Sequence, residues 1–245
     1  MSPDHSRPIV SPGLRYAPKV PEQSIPIERL HTFQRRGGRL GPQLQRALQV
    51  ELPRYRMPDA RWDFAEVLPD HHEVVLEIGS GMGEATLAMA GAEPDTAIIA
   101  VEVLDRGIAA LARGVAAAGF DNVRIHPDDA VSALANLVPA NSLSGIRVWF
   151  PDPWPKARHH KRRLFQPSAV ALMASRLRPG GTLHAATDVD DYAEQMVAVL
   201  GAEPTLRPVL LHGPRPTWRP VTKFEAAGAA AGRHSHDFVY VRGSD

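Results

Sequence analysis

Short apolar segments that alternate with helical segments constrain the fold of this chain most strongly. Residues 74–78 have the composition of a buried strand, and residues 85–90 have that of an apolar helix. Further strands are predicted at 97–101, 122–126, 145–150, 181–186, 206–211 and 236–241. Strands that alternate with helices predict an α/β fold, in which a doubly wound sheet of about seven mostly parallel strands carries helices on both faces.

Each of the first five predicted strands has an acidic residue at or just after its end. These residues are Glu77, Glu102, Asp129, Asp152 and Asp188. Because the carboxyl ends of parallel strands meet at one edge of a sheet, we expect the five carboxylates to line a common rim. Ligands of doubly wound sheets bind at that rim. The sequence therefore predicts a binding site with acidic walls.

Three glycines, Gly79, Gly81 and Gly83, separate the first strand from the first helix. Glycines at such a junction let backbone N–H groups and the helix N-terminus approach a ligand, which favours a nucleotide-like cofactor. Their spacing differs from the G-x-G-x-x-G pattern of dinucleotide folds, and Glu77 stands two residues before the first glycine. A carboxylate there suits a cationic ligand such as S-adenosylmethionine. The alternative is an ordinary turn.

Glu102 and Asp129 follow the second and third strands. In the predicted fold they stand where the ribose and adenine of that cofactor would bind, and an acid at the end of the second strand can accept hydrogen bonds from both ribose hydroxyls. Taken singly, each of these acids is equally expected as a helix cap.

Three prolines at alternate positions, Pro151, Pro153 and Pro155, end the fourth strand in a rigid loop that holds Asp152. Seven basic or imidazole side chains follow without an acid: Lys156, Arg158, His159, His160, Lys161, Arg162 and Arg163. This pattern indicates a reaction site beside a polyanion site. The alternative is a turn followed by the solvated basic start of a helix.

Basic residues are concentrated in three acid-free segments, although the net charge is only +1. Segments 29–46, 156–163 and 207–223 hold five, five and four of the 28 Lys and Arg residues, whereas the remainder holds all 27 acids. If the three segments converge, they form a phosphate-binding face on an otherwise acidic body.

Residues 1–28 contain six prolines and little periodic apolar content, so we expect a disordered tail. Residues 29–245 are predicted to form a single domain that begins with a basic arm at 29–46. The absence of cysteine excludes disulfides and thiolate sites, and no three histidines have the spacing of a metal site. With no long apolar run and no secretory signal, the sequence predicts a cytoplasmic protein without membrane or metal.

Four motifs in order carry a resemblance to a known family. They are residues 77–83, residues 151–154 with Lys156, Thr187 with Asp188, and residues 219–225. Together they resemble the bacterial tRNA (guanine-N7)-methyltransferase family, over a region from about Phe33 to the C-terminus. The resemblance implies a Rossmann-like class I methyltransferase that transfers a methyl group from S-adenosylmethionine to guanine N7 at position 46, in the variable loop of tRNA.

The resemblance also implies roles for individual residues. The cofactor positions would be Glu77, Gly79, Gly81, Gly83, Glu102, Asp129 and Asp152, and Asp152 would also be the catalytic residue. The substrate contacts would be Lys156, Arg158, His159, His160, Lys161, Arg162, Arg163, Asp188, Thr222, Lys223, Phe224 and Glu225. The chain departs from the family pattern at Pro155 and in residues 232–238, which puts the packing of the final strand in question.

Guanine N7 carries a lone pair in the ring plane, so its methylation needs no base to remove a proton. A carboxylate such as Asp152 can instead accept hydrogen bonds from guanine and stabilise the cationic product. Two alternatives stay open: an amino-group methyltransferase, because its Asp-Pro-Pro-aromatic loop resembles residues 152–154, and a non-catalytic RNA-binding protein that retains a cofactor fold. The sequence decides neither the oligomeric state nor which tRNAs are modified.

Overall fold

The computed structural model describes residues 39–244. The predicted tail at 1–28 and most of the basic arm at 29–46 lie outside the described residues. Three short helices come first: α1 (Pro42–Val50), α2 (Leu52–Tyr55) and α3 (Phe64–Val67). Proline at the first turn of α1 starts the helix, because the N–H that proline lacks would have no partner there.

A seven-stranded sheet follows. Its strands are β1 (Glu73–Ile78), β2 (Thr96–Val101), β3 (Val123–His126), β4 (Leu143–Trp149), β5 (Leu177–Thr187), β6 (Leu206–Gly213) and β7 (His236–Arg242). They lie in the order β3-β2-β1-β4-β5-β7-β6. Strands β1 to β5 pair in parallel, and β7 is antiparallel to β5 and β6. The predicted doubly wound, mostly parallel α/β sheet is confirmed. The final strand pairs with β5 in unbroken register despite the unusual residues before it, whereas its register with β6 shifts twice.

Helices cover both faces of this sheet. They are α4 (Glu84–Ala92), α5 (Asp105–Ala118), α6 (Ala130–Asn136), α7 (Pro167–Arg176), α8 (Asp190–Ala202) and α9 (Lys223–Ala230), with a 3₁₀ helix at Ala157–Arg162. One core cluster joins Leu76 and Val148 of the sheet to α6, α7 and α8, and the other joins Ile98 to α4 and α5. The two apolar layers fix the sheet as a rigid platform for whatever lies at its rim.

The structure corrects two predicted strand boundaries near the proline loop. Helix α7 begins at Pro167, because proline is accommodated in the first turn of a helix but not in its interior. The helix ends at Arg176, and β5 starts at once with Leu177. Strand β4 ends at Trp149, so Phe150 belongs to the loop and not to the strand.

Candidate functional site

The glycine junction after β1 turns the chain sharply into α4. Gly79, Gly81 and Gly83 all have positive φ angles, at 78°, 56° and 88°. At Gly83 a Cβ atom would also lie 2.7 Å from Leu111 Cδ1, which is closer than side chains approach. Glycine is therefore required at this position by both backbone conformation and the packing of α5.

A cavity of about 590 Å³ opens beside this junction, at the carboxyl ends of β1 to β4. Nine of the sequence-predicted site residues line it: Glu77, Gly79, Gly81, Glu102, Asp129, Asp152, Thr222, Lys223 and Phe224. Pro151 and Pro153, the neighbours of Asp152 in the proline loop, line it as well. Gly83, Asp188, Glu225 and the run from Lys156 to Arg163 lie outside the lining. The structure thus brings together four of the five rim acids.

Glu102 is held firmly at the end of β2. Its carboxylate accepts hydrogen bonds from the backbone N–H groups of Gly81 at 2.8 Å, Val103 at 2.7 Å and Leu104 at 2.9 Å. It does not cap α5, whose N-cap residue is Leu104. A carboxylate has about four acceptor sites, so three backbone bonds leave capacity for a ligand hydroxyl.

Asp129 caps a helix and also lies at the cavity. Its Oδ1 accepts a hydrogen bond from the Ser132 N–H at 2.8 Å and so caps α6, while the residue also lines the cavity. Asp128, which sequence reasoning passed over, lines the cavity as well, and its Oδ1 accepts from the Asp129 N–H at 2.7 Å. The adjacent pair of aspartates was the signal that could have found it.

Glu77 is a buried acid in the floor of the cavity. It accepts a hydrogen bond of 2.6 Å from Thr86 Oγ1 in α4. Burial raises the pKa of Glu77, against the opposing effects of the Thr86 hydrogen bond and the charge of Arg147. A cationic ligand beside this carboxylate would favour its charged form, so the site gains from a positively charged occupant.

The proline loop is bracketed by two non-glycine residues with left-handed backbone, Phe150 (φ 55°) and Trp154 (φ 46°). Such residues are strained, and they persist only where the surroundings fix them. Trp154 is buried, and Arg163 donates a 2.8 Å hydrogen bond to the Pro153 carbonyl. Asp152 is exposed between these two anchors. The loop that carries it is therefore held in one shape before any ligand binds.

The 3₁₀ helix carries the basic run that the sequence assigned to tRNA. Lys156, Arg158 and Lys161 are exposed, and His159, His160 and Arg162 are half-buried. The Arg162 guanidinium lies 4.4 Å from the centre of the Trp154 ring, which couples the helix to the proline loop.

Arg163 does not lie on this basic surface, and its prediction as a tRNA contact is wrong. It is 1% exposed, and its guanidinium donates to Asp191 Oδ2 at 2.7 Å and to Gln195 Oε1 at 3.0 Å as well as to Pro153. With its donors used inside the protein, it positions the proline loop instead of binding phosphate.

The predicted substrate contacts near α9 divide into two groups. Phe224 (59% exposed) and Lys223 face the cavity, and Lys223 pairs with Glu84 at 2.6 Å. Thr222 Oγ1 accepts from the Glu225 N–H at 3.1 Å and caps the helix. Glu225 pairs with buried Arg219, and Asp188 pairs with Arg233 at 2.7 Å, so these two acids make internal contacts.

The sequence of this chain is similar to known methyltransferases over most of its length. A family model described as "Putative methyltransferase" matches residues 71–238. A tRNA (guanine-N(7)-)-methyltransferase of Paraburkholderia xenovorans is 44% identical over 90% of this chain and 86% of its own length. The chain belongs to the tRNA (guanine-N7)-methyltransferase family. Relatives of the same name from Streptomyces avermitilis and Aromatoleum aromaticum are 42% and 40% identical, over 97% and 98% of this chain and over 84% and 93% of their own lengths.

Solved structures support the fold of this family member and no more. The antibiotic-resistance methyltransferase Kmr aligns with a TM-score of 0.51 and 18% identity, over 78% of this chain and 98% of its own. The [4+2]-cyclase SpnF aligns equally well, with a TM-score of 0.51 and 16% identity over 85% and 99%. Because one of these proteins is named as a cyclase, the shared fold does not by itself define the reaction.

Two further observations on this methyltransferase family member concern its helices and its possible metal ligands. Within residues 39–244, none of the helices combines the length and apolar composition that crossing a membrane requires. The described part of the chain also contains no group of three or more His, Cys, Asp or Glu side chains that could hold a metal ion.

Proposed function

We propose that this protein transfers a methyl group from S-adenosylmethionine to N7 of a guanine in tRNA, at position 46 in the variable loop. The observation that carries the proposal is the convergence of Glu77, Glu102, Asp129 and Asp152 on one cavity. Membership of the tRNA (guanine-N7)-methyltransferase family supports the same reaction. The protein acts in the cytoplasm, where its tRNA substrate is found.

The cofactor side of the cavity fits S-adenosylmethionine by its donor and acceptor groups. Glu102 accepts from the ribose hydroxyls, and Asp129 with Asp128 lies at the end of β3 where the adenine is expected. Glu77 and the glycine junction face the charged amino-acid part of the cofactor. When bound, this cofactor supplies an electrophilic methyl group on a sulfonium.

Asp152 and the segment before α9 form the substrate side. Guanine N7 attacks with its own lone pair, so Asp152 removes no proton. Its carboxylate accepts hydrogen bonds from the N–H groups of guanine and stabilises the positive charge that develops as N7 gains a methyl group. The strained, anchored loop holds Asp152 in place before the reaction, which lowers the cost of reorganisation in the transition state.

The exposed cations of the 3₁₀ helix, with the half-buried His159, His160 and Arg162, supply the tRNA-binding surface. They lie directly after the proline loop, so phosphate contacts there would bring the variable loop to the cavity. Thr222, Lys223 and Phe224 face the same cavity from the other side, and the exposed Phe224 ring offers a stacking surface for the base.

Mass spectrometry of tRNA tests this function. Purified protein, S-adenosylmethionine and unmodified tRNA should yield 7-methylguanosine in the variable loop, and a tRNA with adenine at position 46 should stay unmodified there. A methylated exocyclic amino group would support the amino-group alternative. Binding of tRNA without any methylation would support the non-catalytic alternative, and either result would overturn the proposal.

A further inference from the structure

Charged side chains replace the apolar core on one face of the sheet, over β4, β5 and β7. Asp237 and Arg219 are each 0% exposed, and His184 is 2% exposed. Arg219 donates to both carboxylate oxygens of Asp237, from Nε at 2.7 Å and from Nη2 at 2.9 Å. Three ionisable groups are thus removed from water together.

The hydrogen bonds assign the single ring proton of His184 to Nε2. Trp149 Nε1 is a donor and lies 3.1 Å from His184 Nδ1, so Nδ1 accepts and Nε2 carries the proton. Nε2 then donates to Asp237 Oδ1, which lies 2.7 Å away. Burial lowers the pKa of His184 despite the neighbouring carboxylate, so the imidazole is neutral near pH 7. Asp237 therefore balances the charge of Arg219.

Arg219 connects this cluster to two walls of the cavity. Its Nη1 donates to Glu225 Oε2 at 2.8 Å. Glu225 lies in the first turn of α9, directly after the residues 222–224 that line the cavity. The guanidinium also lies 5.5 Å from the centre of the Phe150 ring, at the start of the proline loop. One buried side chain thus contacts the sheet, the helix start and the loop.

The cluster is poorly explained as a device for stability alone. The cost of taking two charges out of water offsets much of the free energy that a buried ion pair gains from its attraction. Well-packed apolar side chains of similar size often stabilise the folded protein equally well. The other face of the same strands is in fact packed with apolar residues such as Ile146, Val148 and Leu183. What the polar cluster adds is directional bonding between elements that border the cavity.

We propose that Asp237, Arg219 and His184 form a positioning network that holds residues 218–224 and Phe150 in place around the target guanine. The proposal rests on the proposed function, since it assigns the network to the substrate side of that site. The three residues touch neither cofactor nor guanine. They act by fixing the wall that carries Thr222, Lys223 and Phe224 relative to Asp152.

Asp237→Asn tests the network because it keeps the size of the side chain but replaces an acceptor oxygen by a donor that faces Arg219 or His184. The single-turnover methylation rate at saturating cofactor and tRNA should fall about 10- to 100-fold, the loss that a misplacement of about 1 Å produces. Affinity for S-adenosylmethionine should stay within about twofold, because Glu102 is held by backbone groups of its own.

Arg176→Met is the matched control. It also removes a buried guanidinium from its partners, but on the other face, where Arg176 donates to the Leu134 carbonyl at 2.7 Å. The methylation rates of the two variants are compared under conditions in which both have lost the same amount of thermal stability. If the control slows methylation as much as Asp237→Asn does, the network is merely structural and the proposal fails.

Hydrogen exchange separates this proposal from the proposed function. In Asp237→Asn, amides of residues 218–231 should exchange faster while those of β1 and β2 stay protected, whether or not the wild-type protein methylates tRNA. Unchanged exchange in 218–231, or an equal increase throughout the sheet, would overturn the network. Failure of the wild-type protein to form 7-methylguanosine would instead count against the proposed function alone.

Discussion

Replacement of Asp152 by alanine separates the chemistry of the proposed reaction from tRNA binding. The carboxylate is exposed at the rim of the cavity, whereas the cations that bind phosphate lie on the 3₁₀ helix beyond it. Asp152→Ala should therefore slow methyl transfer much more than it weakens association with tRNA. Asp152→Asn should recover little, because the amide keeps one acceptor but loses the charge.

The size of the effect follows from where the residue lies. Loss of one well-placed electrostatic contact to a developing charge costs about 2.7–4 kcal/mol, or 10²–10³ in rate. The loop itself is held by the buried Trp154 and by the bond from Arg163 to the Pro153 carbonyl, and both anchors remain in the variant. Substitution at an exposed position of this kind changes the free energy of unfolding by about 0.5 kcal/mol or less.

The assay is single-turnover methylation at saturating S-adenosylmethionine and tRNA, with a melting curve and a tRNA binding isotherm for each variant. Asp121→Ala is the control, since Asp121 is an exposed acid before β3, at the opposite end of the strands from the cavity. A folded Asp152→Ala protein with a normal rate would refute the role of this carboxylate. A large drop in melting temperature would show a structural role instead.

Three further predictions follow from the same site. Glu102→Ala should weaken S-adenosylmethionine binding by about 1–3 kcal/mol in calorimetry, because it leaves hydrogen-bonding groups unpaired, and unchanged affinity would remove Glu102 from the cofactor site. Replacing Lys156, Arg158 and Lys161 by alanine should reduce the salt dependence of tRNA binding by about 0.7–0.9 log units per lost phosphate contact, and an unaltered slope would place them away from the RNA. Burial raises the pKa of Glu77, so ionisation of this carboxyl destabilises the ligand-free fold as pH rises through the raised value. Glu77→Gln should therefore raise the melting temperature at pH 8 but not at pH 4. An equal shift in melting temperature at both pH values would contradict this reasoning.

The sheet and most of the cavity could be predicted because their signals are local and periodic. Each strand is a short apolar run, and each rim acid lies within a few residues of a strand end. The parallel arrangement then places those ends on one edge without further information. Asp188 follows β5 at the same edge, but it does not line the cavity, which lies at the ends of β1 to β4, and it pairs with Arg233 after α9.

The buried polar cluster could not be predicted from the sequence. His184 and Asp237 are 53 positions apart, and they meet because β7 enters the sheet antiparallel beside β5. No periodic pattern reports which residue will face which across that pair of strands. Arg219 also looked like one member of a basic segment, when its charge is in fact balanced internally by Asp237 and Glu225.

Buried and paired arginines change how the basic segments should be counted. Arg163 and Arg219 are both fully buried, and each fixes a different wall of the cavity. Arg215 approaches Glu225 at 3.4 Å, and Arg207 hydrogen-bonds to the backbone at Leu206, so segment 207–223 offers fewer free cations than its composition indicates. Because counterion release depends on cations that reach phosphates, the salt dependence of tRNA binding should come mainly from residues 156–162 among the described residues. The basic segments thus divide between binding RNA and holding the active-site walls, and burial decides which role each arginine has.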